Sequence, residues 1–280
     1  MLNNPVSIIC PYRNAVAFLP ALVENVQAQT YSSWELLLID DGSTDNGPLF
    51  AAKAARLDPR IRALSAPHRP SSFSKGPWWP RNVGLRNAQS ELIAFLDVDD
   101  LWHPLKLQHQ LSSHLSASAS LSVTGYARFD LLTRKILGWR NPPCTFGYQR
   151  LRISNVIPML SALVSRNLLV EEFRPCPHED YLFWLSILRA NPGSRCICIP
   201  ELLSFYSVHD RNLTRNRWRM PLWTYQVYRS HGMSSFASFR ALFPWAISQF
   251  SSHSLSKRSV IGLSVDQCLS SSKPLSLLAA

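Results

Sequence analysis

Two apolar runs restrict this chain more than any other feature: Leu36-Leu37-Leu38-Ile39 and Leu92-Ile93-Ala94-Phe95-Leu96, neither interrupted by a polar residue and both followed by carboxylates. A strand with one wet face alternates apolar and polar side chains. A strand covered on both faces need not, and such strands belong to parallel sheets enclosed by helices. Val6 to Cys10 reads as another strand, while Phe18, Leu19, Leu22, Val23 and Val26 fall on one helical face. Asn46 to Leu57 is Ala-rich and helical, Ile61 to Leu64 a short strand, and Arg81 to Ala88 a helix. This alternation predicts an α/β fold: a mostly parallel central sheet, flanking helices and a ligand crevice beyond the carboxyl ends of the strands.

The chain is long enough for one sizeable core or two small ones: 280 residues, 46% of them hydrophobic. That excludes disorder as a description of the whole. No stretch approaches the roughly 20 apolar residues of a membrane span, and the first residues lack a basic-then-apolar leader, so neither a spanning helix nor a signal peptide is expected. The six cysteines are scattered without C-x-x-C spacing, which argues for reduced thiols rather than zinc or disulfides. The net charge of +11 is unevenly placed: residues 1–100 hold nine Lys or Arg against ten Asp or Glu, and residues 101–280 hold twenty against eight. An acidic cluster in the first part suits a metal and its bound anion, and the basic second part suits phosphates, anionic lipid or nucleic acid.

The acids sit at strand ends, in Asp40-Asp41-Gly42-Ser43-Thr44-Asp45 and in Asp97-Val98-Asp99-Asp100. Three carboxylates within four residues repel one another unless a cation compensates them, and an all-oxygen set favours Mg²⁺ or Mn²⁺ completed by waters and phosphates. The alternative is a helix cap, with the acidic turn preceding a helix that starts at Leu101-Trp102-His103-Pro104. A D-x-D triplet does not decide between the two.

Read in order, Pro11-Tyr12-Arg13-Asn14-Ala15, Gln29-Thr30-Tyr31, Glu35 to Asp45, Arg81-Asn82-Val83-Gly84-Leu85 and Ile93 to Trp102 resemble the family 2 glycosyltransferases of GT-A (Rossmann-like) fold. The resemblance implies a nucleotide-sugar donor, with Pro11, Arg13, Asp40 and Asp41 on the base side of its pocket and Arg81 holding base or diphosphate. It further implies that Asp97 faces the ribose and that Asp99, with Asp97 and Asp100, holds Mg²⁺ or Mn²⁺. His178-Glu179-Asp180 before the apolar run Tyr181 to Leu188 resembles the family's E-D motif, making Asp180 the base that deprotonates the acceptor hydroxyl, with Glu179 as runner-up and His178 a neighbour. A helix cap is again the plainer alternative, although a carboxylate at a helix N-terminus is favoured ionised. Tyr206-Ser207-Val208-His209 through Thr214 resembles the segment that closes the catalytic domain, where His209 either approaches the donor diphosphate or metal or is a solvated imidazole. Two positions depart from the family pattern, Arg13 and Val16, and the bulky stretch Lys75-Gly76-Pro77-Trp78-Trp79-Pro80 either stacks on a ligand or packs on the sheet.

These readings divide the chain into a catalytic domain over 1–215, with a nucleotide half over 1–110 and an acceptor half over 111–215, and a basic, aromatic extension over 216–280. Prolines in 139–160 mark acceptor-side loops. Arg211, Arg215, Arg217 and Arg219 precede an aromatic-rich stretch, which suits contact with an anionic membrane, and the Ser-rich residues beyond about 255 are expected to be disordered. The expected enzyme inverts the sugar's configuration and moves it, most simply from a uridine diphosphate sugar, to a glycan or lipid-linked glycan acceptor. Its expected setting is surface-polysaccharide assembly, in the cytoplasm and peripheral on the inner face of the plasma membrane. The rivals are a nucleotidyltransferase, which would want a glycine-rich basic first loop, and a nucleic-acid binder, which the acidic cluster disfavours; no nucleic-acid partner is expected.

Overall fold

The structure, a computed structural model, describes residues 4–66, 76–209, 219–254 and 263–276. The chain begins β1 (Val6–Tyr12), α1 (Leu19–Gln27), β2 (Trp34–Asp40), α2 (Gly47–Leu57), β3 (Ile61–Ser65), α3 (Trp78–Asn87) and β4 (Leu92–Phe95). Strands β3, β2, β1 and β4 lie side by side, all parallel. The absence of alternation in the apolar runs now has its cause. Ile9, Leu37, Ile39, Ile93 and Phe95 point into one core, while Ile8, Cys10, Leu36, Leu38, Ala94 and Leu96 point into the other, with Leu19, Leu22, Val23 and Val26 of α1. Each face buries every second residue, so no position is left for a polar one.

Helix α3 lies against the first of these faces at Gly84. A Cβ there would stand 2.5 Å from Cγ2 of Ile9 and 3.3 Å from Cδ1 of Ile39, so the glycine sets how closely the helix approaches the sheet. The helix starts at Trp78, three residues earlier than the sequence suggests. Trp78 is buried in the core, which resolves the Trp78-Trp79 stretch in favour of packing; Lys75 lies outside the described residues.

The chain continues through β5 (Leu101–Trp102), α4 (Lys106–Ser116), β6 (Leu121–Asp130), β7 (Ile136–Arg140), β8 (Thr145–Phe146), α5 (Tyr148–Leu151), β9 (Leu163–Ser165), α6 (Glu179–Ala190) and β10 (Cys196–Val208). The sheet extends past β4 in the order β9, β6, β10, β5, with β9 antiparallel to both neighbours and β10 parallel to β6. The sheet is thus mixed beyond its parallel first half. Leu101 and Trp102 do not open a helix as the capping alternative required. They pair antiparallel with Phe205 and Ser204 of β10, and α4 starts only at Lys106.

Three helices follow: α7 (Met220–Ser230), α8 (Ser235–Ser254) and α9 (Val265–Ser270). Val227 and Tyr228 of α7 are buried in the core that holds α6. The expectation of a disordered tail fails over 263–276. Ser264 caps α9 reciprocally with Gln267, Val265 and Cys268 are buried beside Leu101 and Phe129, and Arg134 pairs with Asp266 at 2.6 Å. Among the described residues no helix is long and apolar enough to cross a membrane.

Candidate active site

Because β2, β1 and β4 are parallel neighbours, their carboxyl ends emerge on one edge, about 5 Å apart from strand to strand. Pro11 and Tyr12 end β1 opposite Ile39 and Asp40. The loops after β1 and β2 are laced together. Asp41 N–H donates to the Tyr12 carbonyl (2.9 Å), Asn14 N–H to Ser43 Oγ (2.9 Å), Thr44 N–H to Asn14 Oδ1 (2.7 Å) and Val16 N–H to Asp45 Oδ2 (2.9 Å). Asn14 takes a left-handed conformation to do so (φ 48°), and Arg13 is exposed beside it. Pro11, Arg13, Asp40 and Asp41 therefore lie together at the carboxyl edge of the sheet. Asp40 spends Oδ1 on the turn itself, accepting from Ser43 N–H at 3.0 Å.

The turn after β4 carries the second acidic group. Asp97 Oδ1 accepts from Arg81 Nη2 at 2.7 Å, and Asp99 Oδ2 accepts from His209 Nε2 at 2.7 Å and from Ser207 Oγ at 2.9 Å. Asp100 is buried and turned inward, accepting from Ser207 N–H at 2.8 Å while its other oxygen meets no partner among the described residues. Asp100 thus braces the turn, while Asp97 and Asp99 keep partly exposed carboxylates at the strand end. The pairing of β5 with β10 delivers Ser207 and His209, two residues apart and so on one face of the strand end. His209 also stacks on Phe18, ring centroids 6.0 Å apart. Of the two readings of His209, the structure places it on Asp99; Asp210 to Thr214 lie outside the described residues.

Negative potential collects here. Burial raises the Asp100 carboxyl well above the usual range and Asp99 and Asp97 raise it further; the buried Cys10 thiol is raised by the same combination. Among the described residues no three His, Cys, Asp or Glu side chains form a ready-made metal cage. His209 and Ser207 both donate to Oδ2 of Asp99, which leaves Oδ1 outside that pair of bonds. A donor set of two carboxylates, with the Asp99 Oδ1 outside those hydrogen bonds, fits a hard divalent ion that draws its remaining ligands from phosphates and water.

Arg81 joins this turn to the E-D helix. Its guanidinium, 3% exposed, donates from Nη1 to Glu179 Oε1 and from Nη2 to Asp97 Oδ1, both at 2.7 Å. Burial opposes its charge, but Asp97 and Glu179 more than offset that and hold it protonated. Glu179 is itself buried, and desolvation outweighs the attraction of Arg81 to push its carboxyl up to about 7. Glu179 is therefore committed to Arg81, whose two terminal nitrogens are taken by Glu179 and Asp97. Asp180, next along the helix, is half-buried and accepts from Asn155 Nδ2 at 3.3 Å. Of Glu179 and Asp180, Asp180 is the one outside the Arg81 ion pair. His178 packs against Trp223 at 5.2 Å between ring centroids, as a neighbour.

The sequence motifs assign no role in the site to Ser207, Asn155, Phe18 or Trp223. The two-residue spacing of Ser207 and His209 was the one available signal; the others depend on contacts across at least 25 residues of chain.

The sequence profile described as glycosyl transferase family 2 matches residues 7–163. The UDP-Glc:alpha-D-GlcNAc-diphosphoundecaprenol beta-1,3-glucosyltransferase WfgD of Escherichia coli is 33% identical over 216 residues, covering 76% of this chain and 81% of that protein. Among solved structures, residues 1–349 of TarS from S. aureus in complex with UDP-GlcNAc superpose with a TM-score of 0.66 at 17% identity, over 88% of this chain and 73% of that one. The mannosyltransferase PcManGT from Pyrobaculum calidifontis, in complex with GDP-Man and Mn²⁺, gives 0.62 at 18% identity over 91% and 76%. At these identities the structural likeness speaks for the fold.

Proposed function

The chain belongs to glycosyl transferase family 2, and from that premise we propose that it transfers a sugar, with inversion, from a uridine diphosphate sugar to a hydroxyl of a lipid-linked glycan in surface-polysaccharide assembly. The observation that carries the reading is the single guanidinium of Arg81 bridging Asp97 and Glu179, because it gathers the acidic strand end and the start of the Asp180 helix into one cluster. Donor and acceptor classes are supported by the WfgD relative and the UDP-GlcNAc complex of TarS. The nucleotidyltransferase alternative falls with family membership.

In this reading the loops after β1 and β2, with Pro11, Arg13, Asp40 and Asp41, border the nucleotide. Asp99 and Asp97 would hold Mg²⁺ or Mn²⁺, Asp100 and Ser207 fix the turn, and His209 orients Asp99. When bound, the cation supplies neutralisation of the two phosphates as they depart. The acceptor oxygen attacks the anomeric carbon, the bond to the diphosphate oxygen breaks with its electron pair leaving on the nucleotide, and Asp180 takes the hydroxyl proton. Asn155 holds that carboxylate in place. Asp180→Asn tests the assignment: uridine diphosphate binding stays intact by calorimetry while turnover drops by about 10²–10⁴-fold. Unchanged turnover would remove Asp180 from the mechanism.

A further inference from the structure

Helix α8 is apolar on two opposite sides. One side is used: Ser238 is buried, and Ala241 and Leu242 pack on the core shared by α6 and α7. The other is bare, with Phe236, Phe239, Phe243 and Ile247 exposed at 72%, 70%, 73% and 54%. Their spacing of three, four and four residues aligns them in one stripe. Among the described residues no other helix leaves more than two large apolar side chains in water. A contiguous exposed stripe of this kind marks a contact surface.

The charge of this part of the sequence selects the partner. Residues 211–265 contain eight Lys or Arg and no Asp or Glu. Of these, Arg219, Arg229 and Arg240 are exposed, and Arg240 lies 5.9 Å from the ring centroid of Phe236. A second copy docking on the same face would oppose cations to cations across an isologous interface. A bilayer carrying anionic lipid satisfies both features, with aromatic rings at the boundary of headgroups and acyl chains and arginines among the phosphates. Because α8 is not apolar enough to span, it would lie in the interface plane.

We infer that the Phe236, Phe239, Phe243 and Ile247 face of α8 docks the enzyme on an anionic membrane surface. The placement serves the site. Helix α8 packs on α7, and α7 packs on α6 through Tyr228, whose hydroxyl donates to the Arg152 carbonyl and lies 3.4 Å from the Tyr181 hydroxyl. The docking face is therefore one helix removed from the helix that starts at Glu179 and Asp180, on which a lipid-borne acceptor would converge. This deepens the acceptor reading above and rests on it for its purpose, but its test uses neither donor nor acceptor.

The full chain is sedimented with vesicles of phosphatidylcholine alone and with phosphatidylglycerol added. Wild type is expected to bind the anionic vesicles, less at high salt, and the Phe236→Ser/Phe239→Ser/Phe243→Ser variant to bind at least about tenfold more weakly with an unchanged circular dichroism spectrum. Should that variant unfold, Arg219→Gln/Arg229→Gln/Arg240→Gln takes its place and must lose the preference for phosphatidylglycerol. Equal vesicle binding by wild type and folded variant, wild type that binds no vesicle, or a wild-type dimer dissolved by the serine variant would each overturn the inference. A protein that binds vesicles through this face yet transfers no sugar would overturn the acceptor reading and leave the docking face standing.

Discussion

Arg81→Gln is predicted to destabilise the fold by an amount that grows with pH. Removing one partner of a buried ion pair costs roughly 3–5 kcal/mol when the other must stay charged. Of the two carboxylates on Arg81, Asp97 has a side chain 35% exposed and water can compensate it, so the cost falls on Glu179, whose side chain is 10% exposed. Glu179 has an escape, since burial already lifts its carboxyl from an ordinary 4.5 to about 7, and without Arg81 it rises further. An acid whose pKa is higher folded than unfolded keeps its proton in the native state after the unfolded state has released it, so stability falls as pH rises between the two values. In the wild type that decline ends near 7; in the variant it continues at about 1.4 kcal/mol per pH unit. The variant's deficit relative to wild type should be small near pH 6 and larger by about 2–3 kcal/mol at pH 9, by urea unfolding at each pH. In a Glu179→Gln background the pH dependence of the Arg81→Gln effect should vanish. An equal deficit at both pH values, or a pH dependence that survives in Glu179→Gln, would refute the reasoning.

Gly84→Ala should destabilise by about 1–2 kcal/mol, because crowding of the new methyl against Ile9 outweighs the roughly 1 kcal/mol that alanine gains in a helix. The loss should shrink when measured against Ile9→Ala alone, and additive losses would count against the close approach. His114 is buried between Ser122 Oγ (2.9 Å) and Ser165 Oγ (3.2 Å), and burial lowers its pKa from 6.5 to about 4. The unfolded state therefore takes up a proton first as pH falls, and up to about 3 kcal/mol of stability is lost between pH 6.5 and 4. His114→Gln should flatten that part of the stability profile by one proton, and a profile parallel to wild type would contradict this. Ser207→Ala removes a hydroxyl from Asp99 and should raise the Mn²⁺ concentration for half-maximal transfer about tenfold, with turnover at saturating Mn²⁺ little changed; an unaltered Mn²⁺ titration would deny Ser207 that role.

What the sequence disclosed was what neighbouring residues determine. The runs Leu36 to Ile39 and Leu92 to Leu96 carry their burial on both faces in their own composition, and the acids after them mark the carboxyl edge of the sheet. The D-x-D turn was ambiguous because Leu101-Trp102 is as apolar as a helix start; pairing with Ser204 and Phe205, a hundred residues away, makes it a strand. The pairing of Arg81 with Glu179 was likewise hidden, since it reaches across 98 positions of chain. The Ser-rich composition beyond 255 suggested disorder, yet two short apolar anchors, Val265 and Cys268, and a capping box suffice to fold α9 onto the sheet edge. Helix α8 has low amphipathic contrast in sequence because apolar residues lie on both of its sides, and only the packed structure separates the used side from the bare one.

The most direct test of the account is release of uridine diphosphate from its sugar conjugates, followed with lipid diphosphate-linked glycan acceptors and Mn²⁺. The account predicts release that requires acceptor and metal together and that falls by about 10²-fold or more in Asp180→Asn. Release indifferent to the acceptor, or unaltered in Asp180→Asn, would contradict it.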